Sequence, residues 1–207
     1  MTPYFYCIFV EHIKAIVTLN HYILGIDPGT LVMGFGIIQV HKDKISLVEM
    51  GVLHLAKYKD HAKRLHYIFE KVSALVQTYE PKAVALEAPF FGKNPQSMLK
   101  LGRAQGVAIA AAMAHGSPTV EYAPRKIKMA ISGTGNASKE RVLLMLQSIL
   151  KFDETPKYLD ATDALAAAVC HHFQGENKIA EIKTGVQKGK KTDWASFIAD
   201  NKHRVRK

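Results

Sequence analysis

Four carboxylates stand where the surrounding residues are apolar: Asp27, Glu87, Asp160 and Asp163. Asp27 closes the run Tyr22-Ile23-Leu24-Gly25-Ile26, and Glu87 closes Ala83-Val84-Ala85-Leu86. Asp160 and Asp163 are spaced i, i+3, so on a helix they share one face. The residues that follow, Ala164-Leu165-Ala166-Ala167-Ala168-Val169, require burial. Clustered acids repel one another, and a hard cation relieves that repulsion. Mg²⁺ prefers carboxylate oxygens and retained waters. Two such ions about 4 Å apart can activate a water and stabilise the leaving oxygen of a phosphodiester. Taken singly, each acid has a plainer reading: a helix-dipole partner for Asp160 and Asp163, a turn residue before Pro28 for Asp27, a strand-end charge for Glu87. Together, at two strand ends and on one helix face, they favour metal-dependent phosphoryl chemistry.

The elements that must carry these acids are legible from periodicity. Tyr22–Ile26 reads as a buried strand ending in the turn Asp27-Pro28-Gly29-Thr30. Gly34–Val40 and roughly Ile45–Leu55 read as two more strands, and the short connections predict an antiparallel meander. In 61–79, Leu65, Ile68, Phe69, Val72, Leu75 and Val76 fall at helical spacing, with Pro81 beyond the end. Ala83–Leu86 is a buried strand. Residues 95–115 are rich in Gly and Ala, which suits a helix buried against a sheet or packed on a second copy. Thr119–Tyr122 reads as a strand, Asn136-Ala137-Ser138 as the cap of a helix to about Leu150, and about 160–173 as a last core helix after Pro156. The order predicts an α/β fold, a mixed five-stranded sheet with three antiparallel strands then parallel strands, and helices on both faces.

The chain has 207 residues, a formal net charge of +10 and a pI of about 9.5. Such a balance suits a polyanion partner, although a basic enzyme without one is equally compatible. Cys7 and Cys170 form no CxxC or zinc spacing, which predicts a reducing compartment. No apolar run reaches the roughly 18 residues of a spanning helix, so no membrane partner is expected. Residues 1–21 read as an N-terminal extension, either a non-native product of an upstream start codon or an extra strand or helix: Glu11, His12 and Lys14 interrupt its apolar stretch, which is wrong for a signal peptide. Residues 22–174 read as the catalytic domain. Residues 175–207 read as a basic, flexible tail with nine positive and four negative side chains, a net +5. Trp194, Phe197 and Ile198 would share one side of a short helical turn in it. The tail either adds phosphate affinity or merely solubilises.

Five segments resemble, in order, the RuvC family of Holliday junction resolvases. They are Ile23-Leu24-Gly25-Ile26-Asp27-Pro28-Gly29-Thr30 with Gly34-Phe35-Gly36; Ala85-Leu86-Glu87-Ala88-Pro89-Phe90-Phe91-Gly92-Lys93-Asn94; Leu99-Lys100-Leu101-Gly102-Arg103-Ala104-Gln105-Gly106; Ser132-Gly133-Thr134-Gly135-Asn136-Ala137-Ser138-Lys139; and Asp160-Ala161-Thr162-Asp163-Ala164-Leu165-Ala166. The resemblance implies an RNase H-like fold, a homodimer, and paired symmetric nicks in a four-way junction. It implies Asp27, Glu87, Asp160 and Asp163 as the catalytic acids, holding two Mg²⁺ ions with Mn²⁺ able to substitute. It places Phe90 on a base-stacking aromatic, and Lys128 and Lys139 on backbone-contacting lysines. It also implies the branch-migration proteins RuvA and RuvB as partners, in the bacterial cytoplasm, in recombination and repair. Residues 1–20 have no counterpart in that pattern, and the tail after Phe173 is variable in the family and carries no transferable role.

The residues bear on these roles unequally. Phe90 follows an acid and suits stacking on an unpaired base, or equally a core position. Lys139 opens a helix whose dipole opposes it, which predicts a bound anion. Lys128 and Arg125 belong to a basic run beside Pro124 that is otherwise a solvated edge. Lys93 and Lys100 are further DNA-contact candidates. Other readings compete. A sugar-kinase or actin-like ATPase shares the Asp-x-Gly-Thr turn but needs further phosphate and adenosine motifs and a longer chain. A non-catalytic binding module needs none of the four acids. An RNase H-like nuclease acting on a ribosomal RNA precursor is a third, and the Phe90 segment and the 133–139 loop favour the junction.

Overall fold

The computed structural model describes residues 20–42, 44–89 and 94–175. Strands β1 (Asn20–Asp27), β2 (Val32–His41) and β3 (Lys44–His54) form the expected antiparallel meander. Helix α1 (His61–Tyr79) then leads to β4 (Ala83–Glu87), and α2 (Pro95–Ala114) leads to β5 (Thr119–Tyr122). Three helices finish the domain: α3 (Pro124–Ser132), α4 (Lys139–Leu150) and α5 (Leu159–Phe173). The sheet order is β3-β2-β1-β4-β5, with β4 parallel to β1 and β5 parallel to β4. This is a mixed α/β sheet of RNase H-like topology, covered on both faces.

The helix boundaries follow local chemistry. Asp60 caps α1 by accepting from the Ala62 amide, and α1 ends at Glu80 in the left-handed region, φ 44°. Asn94 caps α2, with Pro95 in its first turn. Ser138 caps α4 by accepting from the Arg141 amide. Helix α3 was not expected, because its basic segment reads as a solvated edge. Pro124 in its first turn and Gly133 at φ 74° delimit it, and Ile127 and Ile131, spaced i, i+4, are its buried anchors. Strand β1 starts at Asn20, two residues before its apolar pattern, because His21 and Asn20 pair with Val40 and His41.

Strand alternation sorts the core into two clusters. Ile23, Ile38, Val40 and Ala85 face α3, α4 and α5. Leu24, Ile26, Phe35, Ile37, Val84 and Leu86 face α1 and α2. Helix α5 lies flat on the first face because the strands beneath it carry glycine. A Cβ on Gly25 would sit 1.9 Å from the Ala164 carbonyl oxygen, and one on Gly34 1.9 Å from that of Asp160. One on Gly36 would meet the Leu165 Cα at 2.8 Å.

Candidate active site

The two strand-end acids are brought together by register. Parallel pairing places Ile23 opposite Ala83 and Ile26 opposite Leu86, so the next residues of the two strands are Asp27 and Glu87. Leu24, Ile26 and Leu86 point to the α1–α2 face. Alternation therefore turns Asp27 and Glu87 to the other face, under α5. There Asp160 and Asp163 occupy the first turns of α5. The helix is held at that height by Gly34 and Gly25, and its entry is packed by the Tyr158 ring edge-on to His54, centroids 4.6 Å apart.

Asp27, Glu87 and Asp163 line one cavity of about 340 Å³ together with Lys128, Lys139, Pro124, Ile127, Val142 and Ala166. The Lys139 ammonium donates to the Asp163 carboxylate, Nζ to Oδ2, at 2.5 Å. The sequence predicts a bound anion at this helix start; in the fold, the carboxylate of Asp163 stands against the ammonium. Asp160 does not line this cavity, although its charge reaches Asp27. Burial raises the Asp27 carboxyl to about 8, reinforced by the charges of Glu87, Asp163 and Asp160 and opposed by Lys139. Glu87 is raised to about 7 by burial and then Asp163, opposed by Lys139 and Lys128. Burial works against the charge on Lys139, but the hydrogen bond and charge of Asp163, with Asp27 and Asp160, outweigh it and raise its pKa.

Among the described residues, no three His, Cys, Asp or Glu side chains close around a common point as a ready-made metal cage. The donor chemistry nonetheless suits a hard cation. Every candidate ligand is a carboxylate, and the burial and neighbouring acid charges that raise Asp27 and Glu87 are the penalties a divalent ion offsets. The Lys139 ammonium already lies among these acids as a cation of the protein's own.

The remaining expected residues divide. Lys128 lines the cavity. Arg125 does not: its chain lies across Gly135, where a Cβ would come within 2.5 Å of the Arg125 Cγ. Phe90 and Lys93 lie outside the described residues, as do residues 1–19 and 176–207, with Trp194, Phe197 and Ile198. One polar residue was missed from sequence. Gln105 is buried, donates from Nε2 to the Glu121 carboxylate at 2.6 Å, and lines a smaller cavity beside Asp27, Glu87, Ala88 and Leu101. Its signal was a single amide on the otherwise small and apolar buried side of α2. The larger cavity near His41, Lys44, Leu150 and Phe173, about 680 Å³, lies at the far end of the sheet and holds none of the acids.

Comparison with known proteins identifies the family and the fold. The family model described as crossover junction endodeoxyribonuclease RuvC matches residues 23–171. The crossover junction endodeoxyribonuclease RuvC of Cytophaga hutchinsonii is 53% identical over 189 residues, covering 91% of this chain and 90% of the relative. That of Bacteroides fragilis is 50% identical over 186 residues, covering 89% and 95%. Among solved structures, T. thermophilus RuvC in complex with a Holliday junction substrate superposes with a TM-score of 0.71 at 33% identity, covering 76% of this chain and 96% of that one.

Proposed function

The chain belongs to the RuvC family of crossover junction endodeoxyribonucleases, and from that premise we propose that it cuts four-way junction DNA at the carboxylate site. The observation that carries the assignment is the convergence of Asp27, Glu87 and Asp163 on one cavity with Lys128 and Lys139. Family membership makes the enzyme metal-dependent. Asp27, Glu87, Asp160 and Asp163 would hold the metal, which we take to be two Mg²⁺ ions; when bound they supply an activated water and charge stabilisation at the leaving oxygen. Lys128 and Lys139 hold the scissile phosphate at the mouth of the cavity. Lys139, freed from Asp163 when other cations neutralise the acids, offers its ammonium to a phosphate oxygen. The apolar wall of Pro124, Ile127 and Val142 limits water access on that side.

The reading extends to Phe90, for stacking on a base near the opened crossover, with Lys93 and Arg125 as outer phosphate contacts. It also extends to a nuclease domain over residues 22–174. A homodimer is supported by an unpartnered stripe on α2. Leu99 and Met113 are 64% and 62% exposed, and between them a Cβ on Gly102 or Gly106 would meet nothing within 4 Å. Paired active sites on two copies give paired nicks. No helix among the described residues is long and apolar enough to cross a membrane. We place the enzyme in the bacterial cytoplasm with RuvA and RuvB, in recombination and repair.

The test is a synthetic mobile four-way junction incubated with the protein and Mg²⁺, with nicks mapped on all four strands. Paired nicks at symmetric positions in opposed strands are expected. Random nicking, or none, removes the assignment.

A further inference from the structure

Glu87 is the one acid of the four whose place depends on the edge of the sheet. The parallel pairing of β1 with β4 stops at Ile26 opposite Leu86, whereas that of β4 with β5 continues to Glu87 opposite Tyr122. Just beyond, the Ala88 amide donates to the Tyr122 carbonyl at 2.9 Å. Strand β5 therefore anchors the end of β4. Yet β5 is four residues long and pairs only with β4 among the described residues. So short an edge strand has few ladder bonds of its own to resist fraying.

Two side-chain hydrogen bonds hold it as well, one from each face. Glu121 and Tyr122 are consecutive, so strand alternation turns them to opposite sides. Glu121 shares its side with Leu86, its register partner, and there it accepts from Gln105 Nε2 of α2 at 2.6 Å. Tyr122 turns to the side of the acids, where its hydroxyl shares a 2.8 Å hydrogen bond with His171 Nδ1 of α5. The two rings also meet edge to face, centroids 5.9 Å apart. His171 belongs to the same helix, Leu159–Phe173, as Asp160 and Asp163. Gln105 also lines the small cavity beside Asp27 and Glu87.

Gln105, Tyr122 and His171 are 6%, 7% and 2% exposed. Burying polar groups carries a desolvation penalty that apolar side chains of the same size avoid. What a directional bond adds is a single geometry. Satisfying a buried polar atom accounts for either bond alone. It does not account for both falling on neighbouring residues of the strand that anchors Glu87.

We propose that Gln105, Glu121, Tyr122 and His171 are positioning residues: they clamp β5 between α2 and α5 and so hold Glu87 at a fixed place relative to Asp160 and Asp163. The proposal rests on the nuclease reading above for its effect on cutting. The four act through β5 and Glu87, not on the phosphate. A displacement of about 1 Å at a reacting group can cost on the order of 100-fold in rate, so a loosened clamp should slow the chemical step without weakening binding.

The experiment compares full-length Tyr122→Phe, Glu121→Met and Glu121→Gln with the parent. Tyr122→Phe removes one hydroxyl. Glu121→Met and Glu121→Gln remove the same charge, but only the second keeps an oxygen to accept from Gln105. Ser117→Ala is the control, because it breaks a buried hydrogen bond to the Pro81 carbonyl, 3.0 Å long, at the other end of the same strand pair. Single-turnover cleavage of a four-way junction is measured per folded molecule at saturating protein, with junction affinity alongside. Hydrogen exchange of the Ala88 amide is measured independently of cutting. In Tyr122→Phe and Glu121→Met, cleavage should slow by about tenfold and Ala88 exchange quicken by about tenfold, with affinity changed less than about threefold. Glu121→Gln and Ser117→Ala should stay within about threefold of the parent in every readout. Unchanged Ala88 exchange in both weakened variants overturns the clamp, whatever the cutting. Equal slowing in Glu121→Met and Glu121→Gln also overturns it, because charge and not the bond would then be responsible. Faster exchange with undiminished cleavage overturns the positioning role. If the parent does not cut the junction while exchange quickens as expected, the nuclease reading falls and the clamp on β5 stands.

Discussion

On the α5 face, the strands present Gly25, Gly34 and Gly36 to a helix of alanines; on the α1–α2 face they present Leu24, Ile26, Phe35, Ile37 and Leu86. The second face is an ordinary hydrophobic interlock, where Ile68, Val72, Leu75 and Val76 fill the spaces between strand side chains. Side chains there can repack around a lost methyl. The first face sets backbone against backbone, which sacrifices buried side-chain volume for a fixed distance between Asp163 on the helix and Asp27 on the strand. The difference separates two duties. Both faces bury a hydrophobic cluster, but only the first also fixes the position of acids that destabilise one another.

The largest expected effect lies at the positioned acids. Asp27→Asn should lower junction cleavage by at least about 100-fold, on the order of 3 kcal/mol of barrier, with junction binding changed less than about threefold because the lysines remain. Ile68→Ala, on the other face, should cost about 2–4 kcal/mol of stability and leave turnover per folded molecule unchanged. Single-turnover cleavage and urea unfolding check both. If Ile68→Ala slows the folded enzyme as much as Asp27→Asn does, the two faces do not divide these duties.

Gly25→Ala sharpens the same contrast at matched stability. Its new methyl would meet the Ala164 carbonyl oxygen, so α5 must lift or slide. An overpacked contact of this kind costs about 1–3 kcal/mol, similar to Ile68→Ala. Unlike Ile68→Ala, it should also reduce cleavage per folded molecule, by about tenfold, because Asp163 moves relative to Asp27. Loss of stability with full retained activity would mean that the glycine contact does not set the geometry of the acids.

The acids also make the first face pH-sensitive. The folded protein holds the Asp27 proton up to about pH 8 and the Glu87 proton up to about pH 7, whereas the unfolded chain releases them near 4. Between those limits the folded state binds more protons, so stability falls as pH rises from about 4 to 8 and is lowest above it. After discounting for solvent screening and for Lys139, the fall amounts to about 1–3 kcal/mol. Urea midpoints without divalent metal should therefore decline across this window. Asp27→Asn should flatten the decline, and Mg²⁺ should oppose it most at the alkaline end. An equal slope in Asp27→Asn would show that the acid cluster carries no such penalty.

Much of this division was legible in the sequence because it depends on strand and helix periods. The parity of Ile26 and Asp27, and the i, i+3 spacing of Asp160 and Asp163, predict which side chains meet. Ser138 announces α4 through its cap. What escaped was non-local. Gly34 and Gly36 read as strand residues of a familiar motif, and only the approach of α5 shows why no side chain fits there. The Lys139–Asp163 pair joins residues 24 positions apart, which no periodicity links. Helix α3 was hidden because a short basic run has few apolar positions to count, and Ile127 and Ile131 alone anchor it.

The smallest expected effect tests the outer side of the α1–α2 layer, where Gly106 is exposed in the middle of α2 and a Cβ there meets nothing within 4 Å. In an isolated helix, Gly→Ala gains about 0.8–1.0 kcal/mol from propensity alone. With no intramolecular contact to break, Gly106→Ala should therefore stabilise the monomer by about 0.5–1 kcal/mol, seen as a higher Tm at low protein concentration. A close neighbour outside the chain would account for a glycine at that position. If a second copy packs its own helix over Leu99, Gly102, Gly106 and Met113, the added methyl separates the two backbones, and the dimer dissociation constant should rise by about tenfold in sedimentation equilibrium. The two readouts must then move in opposite directions, a more stable chain and a weaker dimer. A gain in Tm with an unchanged dissociation constant would return this stripe to the solvent and place the dimer contact on another surface.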